Sequence, residues 1–391
     1  MKTTSITKIL FLLCSCLLMG CSGSKKPTDL DVSNLTYISA KNVTDLDVYT
    51  KHPEIDSCSY VKLETNENCL LDEILNIVVA DDKFFLHVGS GVFVFDKTGK
   101  FLNRIGTKGN GPNEYIGISA MAVDEQAKCV VLNDQTKLRL MKHHYDGSFI
   151  ESIPYAMRSS LSSSIYRMHY LPDNKLLCAY SIQDITNPGL TVGARDMTEL
   201  EEIFKHQISW GGFCDYYRTP FTPCKDNILF LKPFCDSIFS YRISDGHLSV
   251  PYLITKLKTV PEGFLRKGQD YVELDKQLYG DRSRPSLFFG GILSTNRYLL
   301  IHYPEKGAIL WDRVTNKGTY SDPAINYVND IWPWWNMYTS TNHAFIGYIN
   351  TSYILSPSEK ALSTSPKFKQ LQRITKEEDN GALLIYHIKK P

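Results

Sequence analysis

Residues 106–115 read GTKGNGPNEY, three glycines and a proline leading to a carboxylate and a phenol, Glu114 and Tyr115. Glycine-rich loops can gather backbone N–H groups around a phosphate, above all where the chain then enters a helix. The phosphate-binding pattern GxxxxGK[ST] needs a Lys-Ser or Lys-Thr pair after the glycines. None follows here, and Ile116 to Val123 reads as a strand. Two readings stay open: Gly106, Gly109 and Gly111 serve a tight backbone crossover alone, or Glu114 and Tyr115 also line a site. Other reactive sets are weaker. No GxSxG element is present, and Ser159, Ser160 and Ser162 to Ser164 read as a solvated connection. His143 and His144 are neighbours at a strand end, so their rings face opposite ways and do not share a metal. Asn76, Glu114 and Asn336 carry oxygen ligands suited to calcium, but no acidic pattern repeats around them. The sequence therefore points to no catalytic set, no metal and no cofactor.

Aromatic side chains beside arginines form a larger candidate set. Trp332-Pro333-Trp334-Trp335-Asn336-Met337-Tyr338 opens one strand, and Trp210 with Tyr217 and Arg218 precedes another. Arg158, Arg167 and His169 surround the start of a third. Flat apolar faces with a few charged donors suit a sugar, a peptide or another amphipathic ligand. The same flat side chains also fill the space between packed sheets, so core packing and ligand contact both remain readings of Trp334, Trp335 and Tyr338.

The elements that must position these residues repeat. Val92 to Asp96 followed by Lys97-Thr98-Gly99-Lys100-Phe101 is a strand, a tight turn and a strand. The shape returns at Leu138 to Tyr145 with Asp146-Gly147, at Ile238 to Tyr241 with Asp245-Gly246, and at Ala308 to Asp312 with Asn316-Lys317-Gly318. Asp or Asn caps such a turn and Gly supplies positive φ. Tyr145 lies 50 residues after Phe95 and Tyr241 about twice that again, so a copy is missing near 190–205, where Leu190 to Arg195 and Leu200 to Phe204 suit strands. The longer step to Trp311 leaves room for an amphipathic helical insertion at about 261–280. A period near 45–50 with four strands per unit predicts a β-propeller.

First hairpins place six units: Ile74 to Val88, Ile118 to Asn133, Tyr166 to Tyr180, Tyr217 to Leu231, Leu287 to His302 and Ile331 to Ile349. The sixth continues through a helix-compatible Lys367 to Ile374 into Ala382 to Ile388 and then lacks a fourth strand. Tyr60-Val61-Lys62-Leu63-Glu64 is unpaired ahead of the first unit, so the expected solution is closure of the ring by this N-terminal strand. The predicted class is all-β, a six-bladed propeller of four-stranded blades over residues 58–391.

The beginning of the chain reads as an address. Lys2 and Lys8 precede an apolar Ile9 to Met19, too short to cross a bilayer, which takes roughly 20 residues. Leu18-Met19-Gly20-Cys21 resembles a bacterial lipobox, which implies a signal peptide over 1–20, lipidation of Cys21 and a tether within 21–57. Related surface-displayed lipoproteins carry acidic residues after that cysteine; Lys25 and Lys26 stand here instead, so the expected anchorage is the outer membrane, facing the periplasm. A net charge of +1 argues against nucleic acid as a partner. Cys58, Cys69, Cys129, Cys178, Cys214, Cys224 and Cys235 contain no CxxC pair and suit no zinc cluster. Cys58–Cys69 and Cys214–Cys224 are conceivable disulfides, and buried free thiols the other reading.

The strand YVKLET (Tyr60 to Thr65), the hairpin VFDKTGKFLNRIG (Val94 to Gly106), the loop GNGPNEY and the terminal EEDNGALLIYHIKK (Glu377 to Lys390) together resemble the six-bladed β-propeller lipoproteins of Gram-negative envelopes, relatives of the NHL type. Where that family's loop reads Gly-Pro-Gly-Glu-Tyr, Asn113 follows Pro112 here. The resemblance covers residues from about 58 onward and is specific for architecture. NHL-type propellers include binding modules, lyases and esterase-like enzymes. The functional expectation is a binding module for a small ligand, glycan or peptide, or for an envelope protein, at the central face. A lyase or hydrolase with a metal in the funnel, and a structural subunit of an envelope complex, are the alternatives.

Overall fold

The computed structural model describes residues 30–46, 53–155, 165–181, 188–197, 199–205, 219–232, 235–255, 290–303, 307–321, 337–356 and 365–389. Three strands precede blade 1 in the sequence: β1 (Thr36–Ser39), β2 (Val43–Asp45) and β3 (Ile55–Lys62). Blade 1 is β4 (Ile74–Ala80), β5 (Lys83–Val88), β6 (Gly91–Asp96) and β7 (Phe101–Ile105), followed by a parallel pair, β8 (Thr107–Lys108) and β9 (Glu114–Tyr115). Blade 2 is β10 (Ile118–Asp124), β11 (Cys129–Asp134), β12 (Arg139–His144) and β13 (Phe149–Pro154). Blade 3 is β14 (Ile165–Leu171), β15 (Lys175–Tyr180), β16 (Pro188–Ala194) and β17 (Glu201–Lys205), the last two filling the gap in the repeat. Blade 4 is β18 (Phe221–Cys224), β19 (Asn227–Leu231), β20 (Ser237–Arg242) and β21 (Leu248–Thr255). Blade 5 is β22 (Gly291–Ser294), β23 (Tyr298–Tyr303), β24 (Gly307–Asp312) and β25 (Lys317–Ser321). Blade 6 holds β26 (Met337–Ser340), β27 (Ala344–Ile349), two helices α1 (Thr351–Ile354) and α2 (Pro366–Ile374), and β28 (Ala382–Ile388).

Closure follows the expected route. β3 pairs antiparallel with β28, Tyr60 opposite Leu384 and Cys58 opposite Tyr386, so the outermost strand of blade 6 comes from the other end of the chain. Packing closes the same circle. Each apolar cluster lies between two neighbouring blades, from Phe85, Val94, Met121 and Leu132 between blades 1 and 2 round to Leu63, Ile346, Leu383, Ile77 and Phe93 between blades 6 and 1. Because both faces of a middle strand meet another blade, β5 and β11 are near-continuous apolar runs, buried almost throughout. The outer β7 alternates half-buried and exposed positions instead, with only Ile105 buried. Trp311, fully buried, wedges between blades 4 and 5.

The outer hairpins show why the repeat takes its form. Asp96 Oδ1 accepts from the N–H groups of Thr98 (2.8 Å) and Lys100 (3.0 Å), and Asp146 Oδ1 from that of Ser148 (2.9 Å). Gly99, Gly147 and Gly246 take φ of 86°, 89° and 72°. In blade 5 the left-handed position falls to Asn316, φ 52°, and Gly318 lies within β25. That corrects the expectation of a glycine there, and Asn is the residue that best tolerates this region after Gly.

Residues 30–46 lie in the stretch expected to tether, and they add to the ring. β1 runs parallel to β21 and β2 parallel to β25, giving blades 4 and 5 a fifth, outer strand. α2 begins where expected: Ser365 caps it by accepting from the Phe368 N–H at 3.1 Å, and Phe368 and Leu371 enter the core between blades 5 and 6. The stretch 261–280 lies outside the described residues.

Candidate functional site

GTKGNGPNEY is the crossover from blade 1 to blade 2, and its own glutamate organises it. Glu114 Oε2 accepts from the Gly111 N–H at 2.7 Å. The carboxylate occupies the space that a Cβ on Gly109 or Gly111 would need, which explains why those positions lack side chains. Two cations of blade 2 then grip the loop's carbonyls. Lys137 Nζ donates to Gly111 O (3.1 Å) and Glu114 O (2.8 Å), and Arg139 donates to Pro112 O (2.7 Å) and Glu114 O (2.6 Å). Arg139 is itself held toward Asp134, whose side chain is fully buried, at 3.5 Å. The loop's donors are thus turned inward on a protein carboxylate, and its acceptors face protein cations. Tyr115 is 2 % exposed and reaches back to blade 1, where Gly91 and Gly106 leave room for its ring. Burial raises its phenol's pKa against the opposing pull of Arg104.

The innermost strands surround the channel, and a detail recurs where they leave the crossover face. β4, β10, β14 and β26 each carry a register shift after their first residue, which sets Leu75, Ser119, Tyr166 and Tyr338 at equivalent bulges. Side chains lace neighbouring blades together there. His87 Nε2 bonds Ile118 O at 3.2 Å and Ser119 Oγ donates to Ile165 O at 2.7 Å, while at the far ends of β26 and β22 Ser340 Oγ donates to Ser294 O at 2.8 Å. Asn133 donates to Ser119 Oγ at 2.8 Å and accepts from the Tyr155 hydroxyl at 2.7 Å.

Among the sequence-derived candidates, Arg167 and His169 stand two residues apart on β14, and Tyr338 lies on β26 across the ring. Arg167 is 6 % exposed and Tyr338 also 6 %. Burial lowers the pKa of His87 and of His169 to about 4, and the charge of Arg167 adds to the effect on His87. Both imidazoles are therefore neutral at pH 7, and His87 feels the permanent cation of Arg167. Cys21, Arg158, Trp210, Tyr217, Arg218, Trp334 and Trp335 lie outside the described residues. Among the described residues no group of three or more His, Cys, Asp or Glu could hold a metal ion. Among the described residues Cys58, Cys69, Cys129, Cys178, Cys224 and Cys235 form no disulfide with one another. Cys58 belongs to the core between blades 5 and 6 and Cys69 to that between blades 6 and 1, so the conceivable Cys58–Cys69 disulfide is not formed.

Lys137, Arg139 and His87 escaped sequence reasoning. The alternation Lys137, Arg139 ahead of an apolar run carried the only signal, two like charges on one face of a hairpin.

Fold and site together define a six-bladed β-propeller in which four of the inner strands carry a bulge at the same point. The chain belongs to the family described as domain of unknown function DUF4934, whose model matches residues 42–387. A protein of Bacteroides fragilis designated an exported protein has the same fold, with a TM-score of 0.69 at 19 % identity over 91 % of this chain and 100 % of its own. A DUF4221 family member from Bacteroides vulgatus gives a TM-score of 0.51 at 12 % identity, over 86 % of this chain and 97 % of its own. No curated protein matches the chain. Among the described residues no helix is long and apolar enough to cross a membrane.

Proposed function

We propose that the chain is an exported, lipid-anchored envelope protein whose propeller binds a small ligand, glycan or peptide, or a partner protein at its central face. The recurring bulge carries this reading. A bulge re-aims side chains and is over-represented next to functional sites, and here it returns at the same point of four inner strands. It sets Leu75 and Ser119 on inner strands and is followed in β14 by the Arg167 guanidinium, while Tyr166 and Tyr338 pack against the cores between blades 3 and 4 and between blades 6 and 1. That mixture suits sugars and peptides better than it suits a reaction needing paired carboxylates. The lipobox at Cys21 supports anchorage, Lys25 and Lys26 support a periplasmic orientation, and likeness to an exported protein supports export.

The test is an array of neutral and acidic glycans and short peptides probed with the full-length chain. Leu75→Arg projects a bulky cation from a position that is 39 % exposed, so folding is retained while the mouth is obstructed. Loss of a specific hit in that variant and in Trp335→Ala supports the central face; a hit that both variants retain removes it. Anchorage is refuted if a Cys21→Ala chain stays in the membrane fraction at the wild-type level.

A further inference from the structure

The N-terminal stretch is fastened to the ring much earlier in the chain than its composition suggests. Asp31 is fixed at the outer turn of blade 4, where its carbonyl accepts from the Val250 N–H at 3.0 Å and its carboxylate bonds His247 Nε2 at 3.0 Å. Leu30, Val32 and Leu35 pack on the core between blades 3 and 4. β1 then follows the outer edge of blade 4, with Ile38 fully buried. Asn42 joins β1 to β2: its side chain donates to Tyr37 O at 2.7 Å and its carbonyl accepts from the Gly318 N–H at 2.8 Å. The outer turn that holds Asp31, at Asp245-Gly246-His247, lies on the face opposite the crossovers, because a four-stranded meander begins and ends on the crossover side.

This fastening sets a length. Cys21 and Leu30 are nine positions apart, so even a fully extended chain spans only about 30 Å between them. A tether running through residues 21–57 would span roughly 120 Å and permit every orientation of the ring. A domain of this size has a radius of gyration of about 20 Å, and a quarter-turn over its surface is about 40 Å. The short leash therefore cannot pass round the ring to the crossover face.

We propose that the outer edge of blade 4 is the surface the protein turns to its lipid bilayer, and that the crossover face, with the central mouth, points away from it. The orientation rests on the anchorage at Cys21 proposed above and adds a restriction on the ligand. The central face is open to soluble molecules and to proteins approaching from the aqueous side, and closed to lipids of the bilayer that carries the anchor.

The test uses the lipidated full-length chain on vesicles of phosphatidylethanolamine and phosphatidylglycerol that carry nitroxide head groups. A fluorophore is placed at Lys225 or at Asn110, both exposed. Lys225 precedes Asp226, which accepts from Ser244 of the outer turn at 2.6 Å, and Asn110 lies in the crossover between blades 1 and 2. Quenching several-fold stronger at Lys225 than at Asn110 is expected. Inserting about 30 Gly and Ser residues between Ser24 and Lys25, ahead of every docked residue, lengthens the reach by about 100 Å and should abolish the difference. Equal quenching at the two positions in the unextended chain, or a difference that survives the insertion, overturns the orientation while the anchor stands. A chain that fails to bind the vesicles at all refutes the anchorage and the orientation with it.

Discussion

Asn380 joins the two ends of the ring through four hydrogen bonds, and its removal should open the seam. Its side-chain amide donates to Glu64 O and to Cys69 O, both at 2.7 Å, and accepts from the Leu71 N–H at 2.9 Å. Its backbone N–H donates to Thr65 Oγ1 at 2.8 Å. With Asn380 only 5 % exposed, Asn380→Ala strips partners from two carbonyls and one N–H that water reaches poorly. At about 1 kcal/mol for each group left unsatisfied, the cost is about 3 kcal/mol. That is a large share of the ~5–15 kcal/mol that holds an ordinary domain together. Asn380→Asp separates hydrogen bonding from shape. It keeps the volume and the acceptor for Leu71 but turns both donors into a carboxylate oxygen facing two carbonyls, so at pH 7.5 it should cost at least as much as Ala. Urea unfolding of both variants with m unchanged gives the magnitude. Amide exchange at the residues of β3 and β28 shows whether the loss is local to the seam. A shift below about 0.5 kcal/mol for Asn380→Ala, or wild-type stability in Asn380→Asp, would refute the reasoning.

Acid should weaken the fold before its carboxylates titrate. His87 and His143 are 2 % and 1 % exposed and stay neutral down to about pH 4, while the unfolded chain takes up protons near 6.5. Stability present above pH 6.5 is therefore lost as pH falls towards 4, by roughly 3 kcal/mol for each imidazole at full titration. Among the described residues neither buried His143 nitrogen has a partner at hydrogen-bond geometry, so His143→Leu should flatten urea-unfolding stability against pH without loss at pH 7.5; an unaltered slope would contradict this. Gly99→Ala combines φ 86° with a Cβ pressed on the Lys62 carbonyl and should cost about 2 kcal/mol or more. At Gly246, φ 72°, the nearest atom to a new Cβ is 3.5 Å away, so alanine costs about 1 kcal/mol, and equal thermal shifts in the two variants would be the wrong result. Glu114→Ala should destabilise the crossover by about 1–2 kcal/mol and speed exchange of the Gly111 amide. Glu114→Gln keeps an acceptor and should recover most of it, and an unchanged Gly111 amide in the alanine variant would count against the clamp.

What the sequence made legible was what repeats. The Asp or Asn before a left-handed residue is a local demand of each outer hairpin, so Asp96, Asp146, Asp245 and Asp312 set the period. Closure was legible because a strand without a partner stood at one end and a blade lacking a strand at the other. β1 and β2 were not, since four and three residues are too few for a period and their partners lie over 200 residues away. Glu114 was visible as a chemical group, but whether its carboxylate turned out to a ligand or in to Gly111 depends on the loop's path, which spacing does not encode. The inner-strand bulges are one-residue shifts in pairing, silent in an apolar run.

The strand that completes blade 6 also imposes an order on events. β3 leaves a ribosome early, yet its partner β28 (Ala382–Ile388) follows more than 300 residues later. Until residues 382–388 are available, Tyr60 has no Leu384 to pair with and Leu63 no Leu383 to pack against. Loop closure over such a separation is slow relative to local hairpins. Blades can form early, but the circle is a late and all-or-none event. A chain cut short before Ala382 would keep five blades and two raw edges, and those edges would look for partners in other molecules.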